Sequence, residues 1–132
     1  MSSNDVKKRI SWINHQGIPI LVLDFSRATP AESLSLIDDF VPVIKEQPLG
    51  SVRMLSDVTE SSYDAAISNK WKAVRVQYND YFHASAIIGL SGLVGVAVRS
   101  FVELLDFLNL SRSKKLRIFK TKDQALAWLI KA

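Results

Sequence analysis

The chain contains no cysteine. Disulfide staples, thiolate nucleophiles and cysteine-bearing metal sites are therefore excluded. Histidine is nearly as scarce, with only His15 and His83. No apolar stretch approaches the ~18 residues of a membrane span. The opening MSSNDVKKR carries charge but is followed by no signal-type apolar core with a small-residue cleavage site. A soluble, cytoplasmic protein is expected on these grounds. Internal repeats and low-complexity segments are also lacking. The net charge of +4 is scattered. Its two local groups, Lys7-Lys8-Arg9 and Arg112-Ser113-Lys114-Lys115-Leu116-Arg117, are not interleaved with aromatics as in an RNA-binding surface, and they read as solvated faces rather than a nucleic-acid footprint.

What is present is an ordinary globular composition, 48% hydrophobic and 23% charged over 132 residues. That length suits one domain, residues 1–132, and buries enough surface for a core without staples. KRISWINH over 8–15 reads as a strand, Gln16-Gly17 as a turn, and the near-continuous apolar run Ile18–Phe25 as a buried central strand. Thr29-Pro30-Ala31-Glu32 opens a helix, with Thr29 as cap, Pro30 at the first helical position and Glu32 closing a capping box. Leu34, Ile37, Val41 and Ile44 follow on one face, and Pro42 is expected to kink or shorten the helix. Val52–Val58 is the next strand. Residues 64–79 form a helix capped by Asp64 or Ser62, with Ile67, Trp71, Val74 and Tyr78 inward. Ala84–Leu90 is another buried strand, followed by a long helix from about Gly92 to Leu108. Leu116–Phe119 is a short strand, and Thr121 opens a last helix carrying Leu126, Leu129 and Ile130. The order is ββαβαβαβα. It predicts an α/β fold with a mixed, mostly parallel five-stranded sheet and about four helices.

The stretch Ile87-Ile88-Gly89-Leu90-Ser91-Gly92-Leu93 resembles a nucleophile elbow only superficially. G-x-S-x-G needs glycine two places after the serine, and Leu93 stands there. His83 is separated from Ser91 by most of a strand, so no serine–histidine pair can be assembled. The stretch reads instead as strand, turn and helix start, with Gly89 allowing close backbone approach and Ser91 as cap. Free N–H groups at Ser91 and Gly92 form a candidate anion site.

In open α/β sheets, ligands gather beyond the carboxyl ends of parallel strands. Asp24, Asp57, Thr59, Ser61, Ser62, Ser91 and Gly92 are expected to converge there. Two acids among hydroxyls fall short of the carboxylate usually recruited by a hard cation, so no metal or other cofactor is expected. The hydroxyl cluster Thr59–Ser62 precedes a helix. A phosphoryl group there would be favoured by the helix dipole and opposed by Asp57 and Glu60.

Three segments carry a family resemblance: Val52-Arg53-Met54-Leu55-Ser56-Asp57-Val58-Thr59, Ala84 through Leu93, and Leu116-Arg117-Ile118-Phe119 with the helix holding Ala125-Leu126-Ala127-Trp128-Leu129. Together they resemble a bacterial branch of the STAS-like (SpoIIAA-like) family, the fold of anti-sigma-factor antagonists, which groups with CRAL-TRIO lipid-binding domains. The resemblance implies a non-enzymatic, regulatory interaction module. It places Ser61 or Ser62, in Glu60-Ser61-Ser62-Tyr63, at the phospho-acceptor position. The family pattern has Asp where Glu60 stands and glycine where Tyr63 stands.

The 92–108 segment carries a narrow polar stripe, Arg99, Glu103 and Asp106, among apolar residues. Val94, Val98, Phe101, Val102 and Leu105 form a candidate interface, because the apolar arc exceeds what packing on one sheet requires. A homodimer or a protein partner is the expected cover. A small-ligand or lipid-binding domain of the CRAL-TRIO-like type is the alternative.

Overall fold

A computed structural model describes residues 9–62, 64–90 and 115–132. Two antiparallel strands open the chain, β1 (Ile10–His15) and β2 (Ile18–Asp24). The two-residue turn between them needs positive φ at both positions, and Gln16 (52°) and Gly17 (84°) supply it. Asn14 Oδ1 accepts the Gly17 N–H at 2.8 Å and fixes the turn. Helix α1 (Pro30–Lys45), strand β3 (Val52–Asp57), helix α2 (Ala65–Tyr78), a 3-10 turn (Asn79–Tyr81) and strand β4 (Phe82–Ile88) follow. Strand β5 (Lys115–Ile118) and helix α3 (Lys122–Lys131) complete the described residues. The strands lie in the order β1-β2-β3-β4-β5, parallel except for the opening hairpin. This is the mixed, mostly parallel five-stranded sheet that the pattern predicts. The long helix expected over 92–108 lies outside the described residues.

Strand alternation sorts the core into two layers. Leu21, Leu23, Met54 and Phe82 face α1 and α2, where Leu36, Phe40 and Ile67 meet them. Ile20, Leu55, Ala84, Ala86 and Ile88 face the other way, against Ala125, Leu126 and Leu129 of α3. With both faces covered, β2 has no solvent side, which accounts for its unbroken apolar run. Alanines at 84 and 86 leave room for α3 to lie close to β4.

The start of α1 is held as the sequence predicts. Thr29 Oγ1 accepts the Glu32 N–H at 3.2 Å, and Glu32 Oε1 accepts the Thr29 N–H at 3.1 Å. The backbone hydrogen bond from Thr29, its hydroxyl and the Arg9 charge together hold the Glu32 carboxyl below its ordinary range. Thr29→Ala removes one half of this reciprocal pair. It is expected to cost about 1 kcal/mol of unfolding free energy, read from the urea midpoint.

The structure adds detail to two expectations for α1. Its buried residues are Ser33, Leu36, Ile37, Phe40 and Ile44, while Leu34 and Val41 lie part-buried on the flank. The bulky Phe40 ring packs on Trp71 of α2, with ring centroids 5.4 Å apart, and turns the face toward it. The helix also runs past Pro42 to Lys45. Pro42 is exposed, and the single N–H it lacks falls in the penultimate turn, where little of the ladder remains to be lost. Strand ends shift by one or two residues. β4 begins at Phe82 and stops before Gly89, whose φ of +87° breaks the extended chain.

Candidate functional site

Register brings the carboxyl ends of the three central strands level. Asp24 pairs with Asp57, and Asp57 with Ile88. The loops beyond them continue the lacing. Phe25 N–H donates to Asp57 O and Arg27 N–H to Thr59 O, each at 2.8 Å. Val58 N–H donates to Ile88 O at 2.9 Å, and Ser62 N–H to Ala28 O at 3.0 Å. The result is a rim at one end of the sheet.

The same turn occurs twice on this rim. Asp57 Oδ1 accepts from Thr59 N at 3.0 Å and Thr59 Oγ1 at 2.6 Å. Asp24 Oδ1 likewise accepts from Ser26 N at 2.9 Å and from the Ser26 hydroxyl. Each Asp-x-Ser/Thr segment thus uses a carboxylate oxygen to fold its own loop. Arg9 Nη1 donates to the carbonyls of Asp24 and Ser26 at 3.0 and 2.9 Å, tying β1 to the first loop. Gly89 closes the rim from the third strand. A Cβ there would meet Thr59 Oγ1, would lie 2.6 Å from Thr59 N and 2.9 Å from Asp57 Oδ1. At the tip, Arg27 (φ 56°) and Glu60 (φ 52°) both adopt left-handed backbone, and an exposed ion pair joins them, Nε to Oε2 at 3.1 Å.

Of the residues expected to converge, Asp24, Asp57 and Thr59 lie together here. The paired serines part company. Ser61 is buried, while Ser62 is exposed two places before Asp64, which caps α2 by accepting the Ile67 N–H at 2.9 Å. Ser91, Gly92 and the interface residues Val94, Val98, Phe101, Val102 and Leu105 lie outside the described residues. Among the described residues, no three His, Asp or Glu side chains are grouped to hold a metal ion. His83 Nε2 is engaged with the Ala132 carbonyl at 2.7 Å, far along the chain from the rim serines. No helix among the described residues is long and apolar enough to cross a membrane.

Beneath the rim, between the sheet and helices α1 and α2, lies a cavity of about 50 Å³. Phe25, Met54, Val58, Ile67, Trp71, Ile87 and Leu116 make its walls apolar, and Ser33, Ser56, Ser61, Ser62, Ser85 and Arg75 add polar groups. Arg75 is 4% exposed. Its guanidinium stacks 4.4 Å from the Phe82 ring centroid, and Nη1 donates to Ser85 Oγ at 3.1 Å. Its Nε and Nη2 are buried without a hydrogen-bond partner, as is Ser33 Oγ. Burial lowers the Arg75 pKa to about 10.

The sequence pattern does not single out this arginine, though it holds a usable signal. Arg75 falls four residues after Trp71 and eight after Ile67, on the inward stripe of α2. Ser33 holds the corresponding place four residues before Ile37. Ser56 and Ser85 occupy the helix-facing register of β3 and β4, beside Met54 and Ile87. A polar residue at helical or strand spacing within an apolar stripe marks such a pocket, and an apolar-only reading passes over it.

No protein-family model and no curated protein sequence matches the chain. Among solved structures, an anti-sigma-factor antagonist (STAS) domain protein from Planctomyces limnophilus is similar to it, with a TM-score of 0.49 and 15% identity over 92% of this chain and 97% of that one. The five-stranded α/β architecture itself stands on the strand pairings described above.

Proposed function

We propose that the chain is a non-enzymatic, STAS-like interaction module with a regulatory role, and that the strand-end rim is its recognition surface. The observation that carries this reading is the facing pair of left-handed residues, Arg27 and Glu60, held by cross-loop backbone bonds and presented to solvent. Non-glycine residues in this conformation cost on the order of 1–3 kcal/mol each, and such strain concentrates at functional surfaces. The laced loops offer a partner a surface that is already ordered, so little entropy is lost on docking. A non-catalytic role is supported by the use of Asp24 and Asp57 as loop-folding acceptors.

Within this reading Ser62, not the buried Ser61, is the phospho-acceptor. It is open to a kinase and lies just ahead of a helix N-terminus, where added negative charge is favoured. Phosphopeptide mapping of the chain recovered from its own cells should place phosphate on Ser62 and leave Ser61 unmodified. Phosphate on Ser61, or on neither, would remove this switch. Cross-linking in the same cells should concentrate partner contacts on 26–28 and 59–62. Contacts confined to the opposite end of the sheet would move the surface elsewhere.

A second reading, small-ligand binding, is favoured by the cavity beneath the rim, where apolar walls are set among serine hydroxyls. Its volume suits a small molecule rather than a lipid chain.

A further inference from the structure

We propose that strand β1 is a self-association edge: a second copy of the chain adds its own β1 antiparallel to it, and the two Trp12 side chains meet at the two-fold axis. This contact stands apart from the rim and from the cavity beneath it.

The strand order leaves β1 at an edge of the sheet among the described residues. Antiparallel neighbours exchange backbone hydrogen bonds at alternate residues. Asp24 N–H donates to Arg9 O, so Arg9, Ser11, Ile13 and His15 turn their backbone groups toward β2. The N–H and C=O of Ile10, Trp12 and Asn14 therefore point away from the sheet. Such a row templates another strand, and natural edges are commonly guarded by charge, proline or a bulge. β1 has none of these. Its residues, ISWINH, include no Lys, Arg, Asp, Glu or Pro, and its register with β2 runs unbroken.

Trp12 marks the contact. It stands opposite Leu21, on the α1 side of the sheet, yet it joins neither core layer and is 41% exposed. Trp71 and Trp128, by contrast, pack on Phe40 and Phe119.

Charge selects the occupant. Two copies, each with a net charge of +4, repel unless they meet along a neutral line, and β1 is such a line. A charged peptide finds no counter-charge on its six residues. The strand is also its own complement when centred on Trp12. That register sets Trp12 against the partner's Trp12, Ile10 against the partner's Asn14 and Ser11 against the partner's Ile13, with no like charges opposed. The two indoles gain an aromatic pair beyond the area they bury. Two short strand edges and two half-open indoles fall below the ~1,200 Å² of a lasting interface, so the dimer forms and parts with concentration. Antiparallel joining reverses one sheet relative to the other and places the two rims at opposite ends of a continuous sheet.

Sedimentation of the full chain from about 10 μM to about 1 mM should show a reversible monomer–dimer equilibrium. Over the same range, the NMR amide signals of Ile10, Trp12 and Asn14 and the Trp12 indole N–H should move together. Those of Ser11 and Ile13, already bonded to β2, should move less. This pattern locates the contact without any variant. Trp12→Lys sets two cations at the axis and should weaken the dimer by about tenfold or more, while the dilute chain keeps its folded spectrum. Trp12→Phe keeps an aromatic pair and should retain the dimer. A dimer that Trp12→Lys leaves intact, or one whose shifts fall away from β1, would overturn the assignment. A chain that stays monomeric throughout would overturn the second copy as occupant and leave the edge to a strand of another protein.

Discussion

Replacing Gly89 with alanine should cost the domain about 2–5 kcal/mol, a large share of the 5–15 kcal/mol that holds a typical domain folded. Two terms add. At φ +87° an L side chain is strained, worth about 1–2 kcal/mol. The new methyl would also overlap Thr59 Oγ1, stand 2.6 Å from Thr59 N and press on Asp57 Oδ1 at 2.9 Å. Backbone cannot rotate away as a flexible side chain can, so the loop after β3 must move, at a further cost of about 1–3 kcal/mol. Gly17→Ala separates the terms. Gly17 has nearly the same φ, +84°, and no atom within 4 Å of the Cβ position. It should lose only the conformational part, about 1–2 kcal/mol. Urea unfolding of both variants reads the difference. Equal losses would mean that the third strand does not close on the Asp57–Thr59 turn, and the rim would lose its rigidity.

That close approach was readable in the chain, because a lone glycine at the end of a buried apolar strand has few other uses. The hairpin was legible from Gln16-Gly17, the α1 start from Thr29 and Glu32, and the sheet from apolar runs alternating with helical periods. Each is a local rule, satisfied by neighbours a few residues apart. Less is legible where distant parts decide. Which arc of α1 faces inward depends on where Trp71 of α2 places its ring against Phe40. The fate of Pro42 depends on its lying on the solvent side, late in the helix. The unlike burial of Ser61 and Ser62 depends on how the loop after β3 is tied to Ala28. Arg75 escaped because hydropathy assigns arginine to the surface. Only its spacing from Ile67 and Trp71 points inward, and the orphaned edge becomes visible only once Ser85 and Phe82 are seen to engage the other side.

The double variant Arg75→Met, Ser85→Ala should be more stable than the unaltered chain by about 1–4 kcal/mol. Arg75 lies under opposing terms. Its pKa, lowered by burial to about 10, means that the folded chain penalises the charged form by roughly 3 kcal/mol. Against this stand one hydrogen bond to Ser85, worth about 1.5–3 kcal/mol for a charged donor, and stacking on Phe82, worth about 0.5–2 kcal/mol. Those gains are spent partly on Nε and Nη2, each buried without a partner at about 1–3 kcal/mol. Methionine removes the charge and both orphans while keeping contact with Phe82. Alanine at 85 prevents the serine hydroxyl, 1% exposed, from being left unpaired. The pH dependence has a definite sign. Above about pH 10 the unfolded chain keeps the Arg75 proton that the folded chain has released, so this group makes stability rise with pH there. The advantage of the double variant should therefore be full at neutral pH and shrink above about pH 10. A double variant less stable than the unaltered chain at neutral pH would make Arg75 a structural strut, held by Phe82 and Ser85 for packing alone. A more stable one means that the chain forgoes stability to keep a buried, partly unpartnered cation between α2 and the sheet.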